Sequence, residues 1–317
     1  MATPTPQKTM RLFLLPISTR RTLIYCERLQ PTLSPGQKPP LADRILTKTS
    51  ETWTKWESAE KGWQKQVTNY GNQLFRRIPF EEWGLKTLPP LTKTREKEMV
   101  ETGRLRFDVL FPGKFVKEES VLGTLKRLAT ERQALHKSKL WQSVALMPVT
   151  APFALVPVVP NLPFFYMCFR AYSHFRALYG GRLLARVLEG SSVGGGEKSE
   201  SLVRAVPESR LDAMYAGGLV HATRQAMRLA EPVSAQDIER VSGVVASQAE
   251  GEGEEVMVLK KWNGKLLAEE FGLPEMEVEI ERAVEQVERD IDEGKERRRK
   301  EEVERSVGEK DGGEKKD

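Results

Sequence analysis

Three histidines, His136, His174 and His221, are the only imidazoles in the chain. Their ordinary pKa lets them bind a proton or a metal ion near neutral pH, so proton and metal chemistry are the first possibilities to weigh. None of the three stands at metal-ligand spacing from a Cys, Asp or Glu, which argues against a metal centre. Arg170 and His174 are four residues apart and share one face of a helix. Together with Glu131, His136 and Arg176 they are the nearest candidates for proton-linked groups beside residues 140–169, which carry no charged side chain. A proton-exchanging carrier places an ionisable residue within its membrane path, and 140–169 offer none. The plainer reading of His174 is a hydrogen-bonded structural residue at the edge of a helical core.

Other chemistries find less support. "SVGGGEKS" has the flavour of a phosphate loop, but Glu197 takes the glycine position before Lys198 and Ser192 takes the earlier one, so the segment reads as linker. No Gly-x-Ser-x-Gly elbow or dinucleotide fingerprint occurs. The alternation in "WTKWESAEKGWQKQ" is that of an amphipathic helix rather than a base-stacking platform, so no nucleic-acid partner is expected. The expectation is a protein that is not an enzyme and holds no cofactor or metal.

Composition narrows the class. Hydrophobic residues are 39% and charged residues 30% of the 317, with a mean hydropathy of -0.47, which excludes a polytopic membrane protein. The 50 basic and 45 acidic residues nearly cancel, so the pI near 9.0 speaks only weakly for an anionic partner. Cys26 and Cys168 stand far apart among apolar neighbours and read as free thiols in a reducing compartment. Before Glu27 the chain has Lys8, Arg11, Arg20 and Arg21 and no acid. That is the charge signature of a mitochondrial address, and equally that of a basic N-terminal strand.

Which elements would position these groups? "MRLFLLPI" and "RTLIYCERL" read as extended segments, and "QPTLSPGQKPP" as a turn-rich connector. From Leu41 to Arg77, Ile45, Thr49, Trp53, Trp56, Trp63, Val67, Tyr70 and Leu74 fall at helical spacing, predicting one long amphipathic helix with a tryptophan stripe against a partner helix. "VLFPGKF" marks a turn at Pro112-Gly113, and Glu118 to Trp141 returns to helical spacing. "FRAYSHFRALYGGRLLARVLEG" is helical to Gly190, and three distal helices are expected near Glu208–Ala230, Ala235–Gln248 and from Pro274 on, the second capped by Ser234. The charged end reads as a frayed helix passing into disorder.

The apolar stretch "MPVTAPFALVPVVPNLPFFYMCFR" carries Pro148, Pro152, Pro157, Pro160 and Pro163. Interior prolines remove backbone donors and clash one turn back, so "VPVVPNLP" predicts a bend between two helical arms. An arm of about 15 residues rises about 22 Å, short of the roughly 30 Å hydrocarbon core. Lys126, Arg127, Arg132, Lys137 and Lys139 precede the uncharged run, and Arg170, Arg176, Arg182 and Arg186 follow it. Basic flanks at both ends predict a re-entrant hairpin that enters and leaves a membrane on one side, steadied by anionic head groups. A helical hairpin in the core of a soluble domain is the alternative. Lys137, Lys139, Arg170, His174 and Arg176 are the candidate lipid-linked or ion-linked residues.

Three blocks, "MRLFLLPISTRRTLIYCERL", "SETWTKWESAEKGWQKQVTNYGNQLFRRIPFEEWGLKTLPP" and "MPVTAPFALVPVVPNLPFFYMCFRAYSHFRAL", together resemble the hallmark segments of the mitochondrial K+/H+ exchange-related protein family. "GLPEMEVEIERAVEQV" is more weakly similar to its C-terminal helix. The resemblance implies an inner-membrane-associated mitochondrial protein needed for exchange of matrix K+ for protons and for matrix volume control, with no catalytic residue set to carry over. One re-entrant hairpin without a buried charge makes a poor antiporter alone, so the expected role is a subunit or regulator of an exchanger, or a path formed by a homo-oligomer. A matrix-side helical assembly protein is the alternative.

The expected fold is mainly α: a helical domain built on the Trp-rich amphipathic helix and the Pro-bent hairpin, with a minor extended N-terminal segment. The expected divisions are a disordered lead at 1–9, the family domain at 10–189 with its hairpin at 140–169, a Gly/Ser linker at 190–203, a C-terminal helical region at 204–293 and a charged disordered tail at 294–317.

Overall fold

The computed structural model describes residues 8–27, 41–93, 96–97, 105–152, 161–193, 202–229, 231–251 and 253–313. They form two units, residues 28–79 and the remainder.

In the larger unit the apolar run at the N-terminus becomes two strands, β1 (Lys8–Pro16) and β2 (Thr22–Cys26), paired antiparallel with Phe13 opposite Tyr25 and Leu15 opposite Leu23. Leu12, Phe13, Leu14 and Leu15 are all buried, so β1 is covered on both faces and cannot alternate polar with apolar. β3 (Leu105–Phe111) and β4 (Val203–Pro207) add in parallel, giving the order β2-β1-β3-β4. The sheet therefore exceeds the expected N-terminal extended segment. "LRFDVLF" and "VRAVP" are short runs, the second with only Val203 buried, whose pairing is decided by partners far away in sequence.

One sheet face packs Phe13, Leu15, Leu23, Tyr25 and Leu110 against the distal helices. These are α7 (Ser209–Val220), α8 (Arg224–Leu229), α9 (Ala235–Glu250), α10 (Asn263–Phe271) and α11 (Pro274–Gly313). Met276, Ile280, Ala283, Val284 and Val287 form the buried stripe of α11 at helical spacing. The other face is covered by α3 (Phe80–Thr87), α4 (Glu118–Thr130) and α6 (Leu162–Val193). Gly180 and Gly181 let α6 approach: a Cβ at the first would stand 2.3 Å from the Leu85 carbonyl oxygen, and at the second 2.8 Å from that of Ala129.

α5 (Gln133–Thr150) runs along α6 as the two arms of the expected hairpin. Pro148 lies within α5, Pro152 just beyond it, and Pro163 in the first turn of α6, where a missing N–H is tolerated. Asn161 joins the arms: its Nδ2 donates to the carbonyls of Thr150 (2.9 Å) and Ala151 (3.2 Å), and its Oδ1 accepts from the Phe164 amide (3.1 Å). Pro157 and Pro160, and the bend assigned to them, lie outside the described residues.

The smaller unit corrects the single tryptophan helix. It is two helices, α1 (Leu41–Glu57) and α2 (Trp63–Arg76), broken by Gly62 at φ 110, a left-handed value that favours glycine. The stripe folds on itself: Trp56 meets Trp63 edge-on at 5.2 Å, Trp53 meets Phe75 at 5.4 Å, and Trp53 Nε1 donates to Asn72 (3.3 Å).

Four other expected spans differ. The helix from Glu118 breaks at Glu131–Arg132, between α4 and α5, and that of Glu208–Ala230 breaks at His221–Thr223, between α7 and α8. Each break lets an arm turn onto a different neighbour, which periodicity within one helix does not encode. α6 continues to Val193, past the expected end at Gly190, and the phosphate-loop-like residues after it lie outside the described residues. The charged tail is helical to Gly313 rather than disordered from 294; Glu, Lys and Arg are good helix formers, and Arg289–Glu293, Lys295–Glu254 and Arg298–Glu254 pair along its course.

Candidate functional site

The face of α6 that carries Arg170, Ser173 and His174 meets α3 and α5 at the root of the hairpin. There the structure assembles a polar network that the sequence scatters over almost a hundred positions. α3 contributes Glu82, which is 2% exposed. A carboxylate so far from water needs charge and hydrogen-bond partners, and it has both. Arg170 Nη1 donates to Oε1 at 2.9 Å and Nη2 to Oε2 at 3.3 Å, while Ser173 Oγ donates to Oε1 at 2.5 Å. Burial pushes the Glu82 pKa up, but the Ser173 bond and the charges of Arg170, His174 and Lys86 outweigh it, so the carboxyl is held below its usual range.

His174 and His136 extend the network to α5. They are 3% and 1% exposed, with their Nδ1 atoms 3.2 Å apart, and His174 Nδ1 is 3.6 Å from Glu82 Oε2. Arg170 Nη2 lies 2.8 Å from His174 Nε2. A guanidinium only donates, so His174 Nε2 must be the acceptor. The His174 proton is then on Nδ1 and points to Nδ1 of His136, which leaves the His136 proton on Nε2. These tautomers are assigned from the hydrogen-bond geometry. His136 Nε2 is buried and has no partner among the described residues. Neither ring keeps a free lone pair, and burial first, then the charge of Arg132 for His136 and of Arg170 for His174, lowers both pKa values, that of His174 to about 4.

Glu82, His136 and His174 each present one ligand atom, all within 4.8 Å of one another, which is the spacing of a small cation's ligands. Arg170 decides against that use. A metal on His174 Nδ1 would force the ring proton onto Nε2, where the guanidinium already donates, and a ligating imidazole needs an acceptor there instead. The residues suit a charge-compensated polar lock rather than a metal centre.

Beside the lock, on the same helix as Glu82, stands Lys86. Its Nζ lies 3.2 Å from the Trp83 ring centroid and 5.3 Å from that of Phe169, with no hydrogen-bond partner among the described residues. The Arg282 guanidinium of α11 sits 4.2 Å from the same indole and pairs with Glu279. Burial pushes Lys86 down to about 7, against the pull of Glu82 and Glu279.

Of the sequence candidates, Arg170 and His174 belong to the lock. Arg176 serves a different purpose, donating to the carbonyls of Lys86 (2.9 Å) and Leu88 (3.3 Å) where α3 ends. Lys137 and Lys139 are exposed on α5, and Glu131 is exposed between α4 and α5. Sequence reasoning did not single out Glu82, Lys86 or Ser173. The available signal was an acid and a lysine four apart in "FEEWGLKT", an otherwise apolar turn between prolines.

Comparison with known proteins follows the same stretch of chain. An uncharacterised protein of Schizosaccharomyces pombe is 29% identical over 197 residues, covering 62% of this chain and 83% of that protein. An uncharacterised protein of Saccharomyces cerevisiae is 25% identical over 205 residues, covering 57% of this chain and 63% of that one. No solved structure matches. Residues 11–188, which carry α3, α5, most of α6 and the whole lock, match the family described as mitochondrial K+-H+ exchange-related, and this chain belongs to that family.

Proposed function

We propose that this protein acts at the mitochondrial inner membrane as a non-enzymatic subunit or regulator of K+/H+ exchange, and so in matrix volume control. One observation beyond the family carries the reading. The hairpin arms present apolar side chains outward, with Trp141 64%, Val149 66% and Phe165 60% exposed, along a stretch without charge. Exposed Lys137 and Lys139 stand at its base. An apolar projection with cationic residues at its root suits insertion into an anionic membrane surface. Matrix-facing flanks follow if both basic ends stay on one side.

Depth argues for a supporting part rather than a complete carrier. The uncharged part of α5, Leu140 to Thr150, is on the order of 16 Å long, about half the hydrocarbon thickness. Among the described residues no helix is long and apolar enough to cross a membrane. The exchange path then belongs to partner subunits or to an oligomer of this chain.

The test is K+-acetate swelling of de-energised, Mg2+-depleted mitochondria with and without the protein. Loss of swelling that an artificial K+/H+ ionophore restores supports the proposal, and unchanged swelling defeats it. The same lack of a membrane-crossing helix motivates a second reading, a matrix-side assembly protein acting on exchange indirectly. Complete release by alkaline carbonate together with unaltered K+ flux in vesicles would favour that second reading.

A further inference from the structure

Four titratable groups pack between α3, α5 and α6, and three of them move away from neutrality: Glu82 is lowered from 4.5, His136 from 6.5, and His174 to about 4. The lock by itself keeps its charge through the neutral range. Lys86 is the exception, and the charges around it give its titration a consequence. Facing it are Glu82 on α3, Arg170 on α6, and Glu279 and Arg282 on α11. Two carboxylates and two guanidiniums balance when Lys86 is the neutral amine. As an ammonium it adds one uncompensated positive charge where no described residue accepts a hydrogen bond from it, against Phe169 of the hairpin arm.

We propose that Lys86 is a proton switch at the root of the hairpin: the neutral amine lets α6 close on α3, and the ammonium loosens that contact. The Trp83 face gives the ammonium partial compensation and shares it with Arg282, so the charged form is held but at a cost. The contact that loosens is the one bridged by Arg170, Ser173 and His174, so proton uptake at Lys86 reaches the hairpin through the lock. The switch stands on the protein's own geometry. Its use in K+/H+ exchange rests on the function proposed above.

The test uses the full chain. The first measurement is the titration of Lys86 by NMR of 13Cε-labelled lysine, assigned by loss of its signal in K86M. The second is amide exchange in residues 164–178, corrected for the intrinsic pH dependence. The expected result is a midpoint close to 7 and amide opening about tenfold more frequent for each unit of pH lost between the ordinary 10.5 and 7, levelling off below 7, the factor set by uptake of one proton. K86M should show no such dependence, and K86R, charged throughout, should stay open at pH 8.5. A Lys86 midpoint near 10, or the same pH dependence in wild type and K86M, overturns the switch. Either result is independent of the swelling experiment, so failure of the switch and failure of the proposed function are separately visible.

Discussion

Glu82 accepts three hydrogen bonds on its two oxygens, two from Arg170 and one from Ser173, and its removal exposes how the lock is balanced. Glu82→Ala leaves the half-buried Arg170 beside the His174 ring with no carboxylate, an arrangement that costs up to about 3–5 kcal/mol. Glu82→Gln, which keeps the acceptor for Ser173, should cost less. Urea unfolding of the two variants checks the order, and equal losses would mean that the charge is not what Arg170 requires. Acid should act on the same residues. His136 and His174 have folded pKa values below the ordinary 6.5, so the unfolded chain holds more protons between the two values. Stability is then full above 6.5 and falls as pH drops toward 4, and Glu82 adds its own loss below 4.5. Lys86 adds a slope of the same sign at higher pH. Its folded value of about 7 lies below the ordinary 10.5, so stability rises with pH across that window. Lys86→Met should remove the rise and stabilise the protein at pH 7 by roughly 1–3 kcal/mol, after the lost contact with Trp83 is discounted. Thermal unfolding from pH 5 to 10 reads both slopes.

At the scale of elements, the tight fit of α6 is the point most open to challenge. Gly180→Ala would drive a methyl group into the backbone of α3 and should cost about 1–3 kcal/mol, or shift α6 and with it Arg170. Unchanged stability and an unchanged Lys86 titration in that variant would show that the helix has room to move. Pro157→Ala with Pro160→Ala probes the other end: if the bend matters, K+ exchange or membrane association should fall, and survival of both would remove the bend from the mechanism. Element identity was largely legible. The apolar runs of β1 and β2, the two arms of the hairpin, the Ser234 cap and the stripe of α11 all follow from local pattern. What local pattern did not carry were interruptions and long-range pairings. Gly62 breaks the tryptophan helix because its φ is positive, yet glycine within a helical period is also tolerated without a break. Beyond the step of four from Glu82 to Lys86, no spacing links Glu82 or His136 to His174, since tertiary packing alone brings residues 82, 136 and 174 together.

For the whole molecule, the family-matched stretch 11–188 and the folded unit are not the same length of chain. The core face of Phe13, Leu15 and Leu23 is closed by Leu211, Leu267, Ile280 and Val287, all beyond that stretch. A fragment ending at residue 190 should therefore be insoluble or lack a cooperative transition, and co-expression with 202–313 should restore both. A soluble fragment with a sharp melting transition would mean that the distal helices are an addition rather than half of the core. The place of β4 adds a matter of timing. β3 offers its outer edge as soon as it is made, but the strand that covers it begins at Val203, about 90 residues later, or roughly 5–20 s at ordinary rates of synthesis. Through that interval an open, apolar sheet edge is available to any neighbouring chain. The apolar hairpin is synthesised within the same interval, so the nascent polypeptide shows its two stickiest surfaces together, before either has its intended cover.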